Sequence, residues 1–202
     1  MSANQRPGHV LVAAPLGLEH ALIRSGARGA RVRITGMGPE KSIAAVSRLR
    51  EEPGHGLMVL GFCGGLDAQS RPGEVIVADE VRATDDEGHE FVRADCHGAE
   101  RLTGSLARAG LTVRQGPIVG VGKIATGERR EQLRAAGALA VDMESAWLAE
   151  GAAGRPFAVV RVVLDSPSHE LFRAGAVGQA LRAAQALRRT AAVALQDWDP
   201  AG

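Results

Sequence analysis

Three carboxylates stand where short apolar runs give way to polar chain: Glu19 beyond His9–Ala14, Glu144 beyond Ala138–Val141, and Asp165 at the end of Phe157–Leu164. Carboxylates move protons and accept hydrogen bonds from hydroxyls, and the carboxyl ends of sheet strands are where α/β proteins bind ligands. Each also has a purely structural use. An acid at a helix start is favoured by the helix dipole, which serves for Glu144. Asp165-Ser166-Pro167 can form a turn, and Glu19 carries the same ambiguity. Two glycine motifs share these strand ends. Thr35-Gly36-Met37-Gly38-Pro39-Glu40-Lys41 follows a strand and opens a helix, where Gly36 and Gly38 let the backbone approach an anion or a sugar, or simply make a tight turn. Gly61-Phe62-Cys63-Gly64-Gly65-Leu66-Asp67 ends an apolar strand, and its paired glycines suggest close backbone contact with a ligand or an unusual turn. Arg71-Pro72-Gly73-Glu74 reads as a structural turn.

Other chemistries lack their residues. Gly122-Lys123 looks like the end of a P-loop, but the required earlier glycine is Pro117 and the hydroxyl position is Ile124. There is no H-E-x-x-H, the six histidines are scattered, and His169-Glu170 is too sparse for a metal site, so His169 reads as a surface or pocket-lining residue. No G-x-S-x-G elbow supports a serine hydrolase. Cys63 and Cys96 form no C-x-x-C pair, which argues against a disulfide framework or a thiolate zinc site and suits a reducing compartment. Neither metal nor cofactor is expected.

The elements that must position these groups follow from periodicity. Short Val/Ile-rich runs alternate with Ala/Leu/Arg stretches of helical period, the pattern of an α/β sheet with crossover helices. The expected strands are His9–Ala14, Arg31–Thr35, Leu57–Phe62, Glu74–Val81, Thr112–Val121, Ala138–Val141 and Phe157–Leu164. The expected helices are Leu18–Arg24, Pro39–Arg50, Ala99–Ala109, Glu128–Ala135, Met143–Ala153 and Ala174–Leu195. Pro39 suits a first helical position, and Asp142 can cap the helix after it. Ala83–His97 is the most polar segment and is expected as an exposed excursion that shapes a pocket rim. Residues 1–8 and 197–202 read as loose ends of a single domain spanning 1–202. With 202 residues and 45% hydrophobic content, one sizeable core is affordable. A net charge of +1 gives no field to hold nucleic acid, and 3% aromatics leave little for base stacking on a single strand. No run approaches the length of a spanning helix and residues 1–8 carry no apolar signal, so a soluble, cytoplasmic protein is expected.

Taken in order, T-G-M-G-P, G-F-C-G-G-L-D, R-P-G-E-V-I-V-A-D, V-D-M-E-S-A and F-A-V-V-R-V-V-L-D resemble the nucleoside phosphorylase and nucleosidase superfamily over most of Val10–Asp165. The details T-G-M-G-P, G-F-C-G-G-L and R-V-V-L-D-S-P-S-H-E-L are most similar to its hopanoid-associated branch, whose substrate is adenosylhopane. The resemblance implies a three-layer fold, a central twisted mixed sheet flanked by helices, with a cleft near the strand ends. It implies that Glu144 binds ribose hydroxyls, Met143 packs beside the sugar, Asp165 addresses the purine and Glu19 orients the attacking water. It further implies that Phe62, Cys63, Gly64, Gly65, Lys123, Ile124 and His169 line the base and substrate pocket, with Gly36 and Gly38 near the sugar or a phosphate. The aromatic residue that stacks on the base in relatives is not evident within Gly120–Thr126. The implied partners are a purine nucleoside and either water or phosphate, in a homo-oligomer.

That chemistry suits these residue types. Adenine leaves poorly as an anion, so a carboxylic acid kept neutral in a poorly solvated cleft lowers the barrier by protonating N7, and Asp165 is the candidate. The ribose gains oxocarbenium character, which Glu144 would stabilise, while Glu19 would take a proton from water on the opposite face. Two departures favour water over phosphate. Val59 and Phe62 stand where phosphorolytic relatives commonly carry arginine and serine, leaving Arg24, Arg33, Lys41 or the Gly36–Gly38 amides as substitutes. Leu164 replaces the small hydroxyl residue usual in nucleosidases, and Phe62 adds apolar surface suited to a greasy substituent. Methylthioadenosine or S-adenosylhomocysteine hydrolysis, phosphorolysis, and a non-catalytic nucleoside-binding module are the alternatives.

Overall fold

The computed structural model describes residues 9–168 and 176–200. Its centre is three parallel strands, β1 (Val10–Ala14), β3 (Gly56–Gly65) and β10 (Phe157–Asp165), with β3 between the other two. Their near-continuous apolar sequences are those of strands covered on both faces. β2 (Arg31–Ile34) extends the sheet beyond β1. On the far side of β10, β4 (Val75–Val77) pairs antiparallel and β7 (Val113–Gln115) then pairs parallel with β4. β3 is long enough for its carboxyl end to outrun β1 and pair there with β9 (Ala140–Asp142), which leads through β8 (Ile118–Gly120) and β5 (Glu80–Thr84) to the edge strand β6 (Glu90–Asp95).

Helices cover both faces, because alternate strand residues face opposite ways. Met58, Leu60, Val160 and Val162 pack against α1 (Gly17–Gly26), α3 (Ala99–Arg108) and α6 (Ala176–Asp197), with Ile23, Leu102, Leu106 and Leu187 completing that core. In α6, Ala183, Leu187, Ala191 and Leu195 repeat every fourth residue and make its buried stripe. Leu57, Val59, Val159 and Val163 pack against α2 (Pro39–Glu51) and the short α5 (Ser145–Leu148). α4 (Gly127–Ala135) closes a smaller cluster around Leu66, Val121 and Leu133. Burying each such leucine contributes about 1.5–3 kcal/mol.

The mixed, three-layer arrangement agrees with the sequence reading, but several elements differ. Glu74–Val81 is two strands, β4 and β5, and Thr112–Val121 is likewise split into β7 and β8. Gly116-Pro117 marks the second break, and in both cases the chain exchanges one set of partners for another, which apolar patterning does not record. The polar 83–97 segment is not an excursion outside the core. It carries the β5–β6 hairpin, with Ala83 fully buried and Val92, Ala94 and Cys96 packed on the core, while the charges lie on its outward edge. The helix expected over Met143–Ala153 shortens to α5 and a 3₁₀ turn at Ala149–Ala152. Residues 197–200 are anchored, since Trp198 is buried and its indole donates to His97 O at 3.1 Å. Residues 1–8 and 201–202 lie outside the described residues.

Candidate active site

The carboxyl ends of β1, β3, β9 and β10 surround one cleft of about 200 Å³, and Glu19, Glu144 and Asp165 all line it. Three carboxylates separated by up to 146 positions therefore meet: Glu19 and Asp165 because the parallel strands β1, β3 and β10 end at one edge of the sheet, and Glu144 because β9 pairs antiparallel with the end of β3.

Glu19 sits in the first turn of α1 and is 2% exposed. Its Oε2 accepts from Leu16 N and its Oε1 from Phe62 N, both at 2.7 Å, so the side chain that caps α1 also ties it to the end of β3. Burial pushes its carboxyl above the ordinary range, against the pull of Arg161 and these two amides. Glu144 lies between β9 and α5, where its Oε1 accepts from Gly38 N at 3.0 Å. Gly38 has φ of 92°, a conformation that suits glycine and lets this amide reach the acid. Burial raises the Glu144 carboxyl to about 7, opposed by Arg161.

Arg161, buried behind this end of the cleft, was not singled out from sequence, and Asp142, which lines it, was expected only as a helix cap. Arg161 is fully buried on β10, pairs with Asp142 Oδ2 at 2.7 Å and approaches Glu144 Oε2 at 3.4 Å. It also donates to Ser145 Oγ at 3.0 Å. Asp142 acts as the expected cap, accepting from the amides of Glu144 and Ser145, while serving as the main counter-ion of Arg161. Gly61 pairs in register with Arg161, and a Cβ there would collide with Glu19 Oε1 and fall 2.7 Å from Arg161 Nη1. The glycine in the first position of the Gly61–Asp67 motif thus makes room for a buried charge cluster. The available signal was one arginine inside the apolar run Phe157–Leu164, a position where a charge needs partners.

The opposite end is built around Asp165. Register shifts between Val163 and Asp165, and this bulge at Leu164 turns the last carboxylate of β10 into the cleft rim. Arg130 from α4 reaches it with Nη2 to Oδ2 at 2.7 Å. The one sequence signal for Arg130 over its neighbours Arg129 and Arg134 is its place three residues before Leu133, the apolar residue that α4 buries on the same face.

Of the residues named from sequence, Phe62, Cys63, Gly64, Met143 and Ile124 also line the cleft. Burial pushes the Cys63 thiol well up, making it an uncharged wall residue. Other expected residues lie elsewhere. Gly65 packs against Ser70 and reaches the site only through its carbonyl, which accepts from Arg130 at 3.3 Å. Lys123 points away, paired with Asp86 of the hairpin at 2.7 Å, while Val121, Ile124 and Ala125 face the cleft from that loop. Gly36 packs on Lys41 and borders a separate surface hollow, and Gly38 contributes its amide to Glu144 without lining the cleft. His169 lies outside the described residues. Val59 is buried core, Arg33 pairs with Glu52, and neither Arg24 nor Lys41 borders the cleft. Among the described residues, metal-ligating atoms converge only at Asp85, Glu87 and His89, on the exposed hairpin tip, where Asp85 accepts from His89 N within the turn.

The family model described as the phosphorylase superfamily matches residues 11–192. A 5'-methylthioadenosine/S-adenosylhomocysteine nucleosidase from Neisseria meningitidis, in complex with methylthio-immucillin-A, superposes with a TM-score of 0.78 at 21% identity, covering 94% of this chain and 99% of its own. An S-adenosylhomocysteine nucleosidase from Streptococcus pyogenes gives 0.72 at 21% identity over 91% and 95% of the two chains. A futalosine hydrolase of Helicobacter pylori gives 0.72 at 16% identity over 91% and 93%. Among curated proteins, none matches the sequence significantly.

Proposed function

The chain belongs to the phosphorylase superfamily, and from that premise we propose that it is a nucleosidase, hydrolysing the N-glycosidic bond of a substituted adenine nucleoside to release adenine. The observation that carries this reading is the meeting of Glu19, Glu144 and Asp165 in one cleft, with hydrogen-bond or ion-pair partners holding each of them. In this assignment Glu144 and the adjoining Met143 hold the ribose. As the C1'–N9 bond lengthens, positive charge grows on the sugar, and an ionised Glu144 stabilises it more than it stabilises the ground state. Asp165 meets the purine and protonates N7, so that the base departs neutral. Glu19, buried and poised by burial to take up a proton, orients the water and accepts one from it.

Water is favoured as the acceptor because none of Arg24, Arg33 and Lys41 borders the cleft. The arginines at the site are engaged, Arg161 by Asp142 and Glu144 and Arg130 by Asp165. An apolar 5'-substituent is supported by the rim: Leu16, Met37 and Ile124 line the cleft yet are 39%, 51% and 74% exposed. Such surfaces mark contact with an apolar partner, and adenosylhopane is the specific substrate proposed. Methylthioadenosine or S-adenosylhomocysteine is the second reading, since proteins of those names share the fold.

The test is release of free adenine from each nucleoside, with and without phosphate. Adenosylhopane should be cleaved most efficiently, and phosphate should not accelerate it. Absence of adenine under every condition would leave a nucleoside-binding module instead. Asp165→Asn should lower kcat by about 100-fold or more while the fold is kept, and full activity in that variant would end the acid assignment.

A further inference from the structure

Arg130 is an unusual residue for α4. The helix is polar, yet this one arginine is 7% exposed and turned inward to the cleft. Two backbone carbonyls fix its guanidinium without any help from Asp165: Nε donates to Ala125 O at 2.8 Å and Nη1 to Gly65 O at 3.3 Å. What remains is Nη2, which donates to Asp165 Oδ2 at 2.7 Å. Gly64 keeps space for this contact, since a Cβ there would fall 2.9 Å from Nη2 and 3.3 Å from Asp165 Oδ1. A guanidinium is costly to bury and is held in place by its fixed fork of donors, so its orientation is set before any ligand arrives. Only Oδ2 of Asp165 is occupied, while Oδ1 meets no donor among the described residues.

We propose that Arg130 is a positioning residue for departure of the base: anchored on two carbonyls, it holds Asp165 against the purine and stabilises the carboxylate left when the proton passes to N7. This rests on the nucleosidase reading above. The proton moves from the Asp165 carboxyl to N7 while the C1'–N9 bond breaks and its electron pair goes to the purine. The water oxygen bonds to C1', its proton passes to Glu19, and solvent carries that proton from Glu19 back to Asp165. Arg130 keeps its own protons throughout. The charge it faces grows during the step, so its hydrogen bond strengthens toward the transition state.

The experiment compares one nucleoside carrying either adenine or 6-chloropurine, the second being the better leaving group and the less dependent on protonation. Arg130→Gln should lower kcat for adenine release about 10- to 100-fold with KM changed by no more than about threefold. The 6-chloropurine nucleoside should lose at most a few-fold, and Asp165→Asn should show the same selectivity. Arg130→Lys should restore part of the loss. Equal losses on both bases would mean a structural staple and overturn the proposal, as would unchanged rates on both. Should Arg130→Gln fail to fold, Gly64→Ala, which crowds the same contact without removing a charge, must show the same base selectivity or the proposal falls. A wild-type protein that cleaves neither compound fails the nucleosidase reading itself, and the proposal with it. Wild-type turnover with selective loss in Asp165→Asn but none in Arg130→Gln overturns only the role of Arg130.

Discussion

Two arginine-centred clusters in this protein have nearly the same composition and opposite characters. Arg114 pairs with Glu74 at 2.7 Å and with Asp67 at 2.5 Å, and donates to Ser70 Oγ at 2.7 Å. Arg161 pairs with Asp142 and Glu144 and donates to Ser145 Oγ. The difference is solvent. The Arg114 side chain is 29% exposed and that of Asp67 25%, and there the charge and hydrogen bond of Arg114 outweigh the burial penalty, holding the Asp67 carboxyl below its ordinary value. Arg161 is fully buried, must serve Glu19 as well, and leaves its Nη1 without a hydrogen-bond partner among the described residues. Burial there outweighs the pull of one cation that faces three acids, and it raises the Glu144 carboxyl to about 7. The outer cluster is satisfied and fastens β4 to β7 and the preceding turn. The inner one retains unspent capacity to bind protons and hydroxyls, which is what a catalytic site needs.

Removing the central cation should separate the two clusters most sharply. Arg161→Met strands Asp142 and Glu144 in the interior and should cost about 3–5 kcal/mol in denaturant unfolding, together with all measurable adenine release. Arg114→Gln should cost only about 1–2 kcal/mol, because Asp67 can recover solvent and the glutamine amide can still donate to the buried Glu74, and should leave adenine release within about twofold. A comparable loss of activity in the two variants would show that the outer cluster supports the site.

The smallest effect concerns pH. The folded-state value for Glu144, about 7, lies above its ordinary 4.5, so the folded protein holds this proton more tightly than the unfolded chain. The resulting stability is fully present below about pH 4.5 and is lost as pH rises through about 7. Glu144→Gln escapes that loss. It should therefore melt a few degrees higher than wild type at pH 8–9, nearly level with it at the acid end, and be inactive throughout. A variant less stable than wild type at pH 9 would contradict the balance of charges described for the inner cluster. In the wild type, kcat/KM should rise through about pH 7 as Glu144 ionises.

The division between what could be read along the chain and what could not follows physical lines. Continuous apolar runs flanked by glycine and acid marked β1, β3 and β10, the strands whose ends carry the cleft, because a strand covered on both faces has little freedom in composition. The carboxylates Glu19, Glu144 and Asp165 were legible for the same reason, each standing where such a run stops. Lys123 was expected in the pocket and Gly36 near the sugar or a phosphate, yet neither lines the cleft, since neighbouring residues in a loop point to different sides and only packing decides which. The β5–β6 hairpin was missed because an edge strand presents charges outward, and those charges masked its inward alternation of Val92 and Ala94.

By itself, then, the order of residues determined the layers, the central strands and which acids stand at their ends, because hydrophobic period and turn chemistry are local properties. Tertiary structure alone decided that Arg161 would be shared among three acids and that Arg130, one of several arginines on a polar helix, would be the one to meet Asp165. Those pairings join residues 17 to 142 positions apart, and no local property of an arginine records which distant carboxylate the sheet will bring beside it.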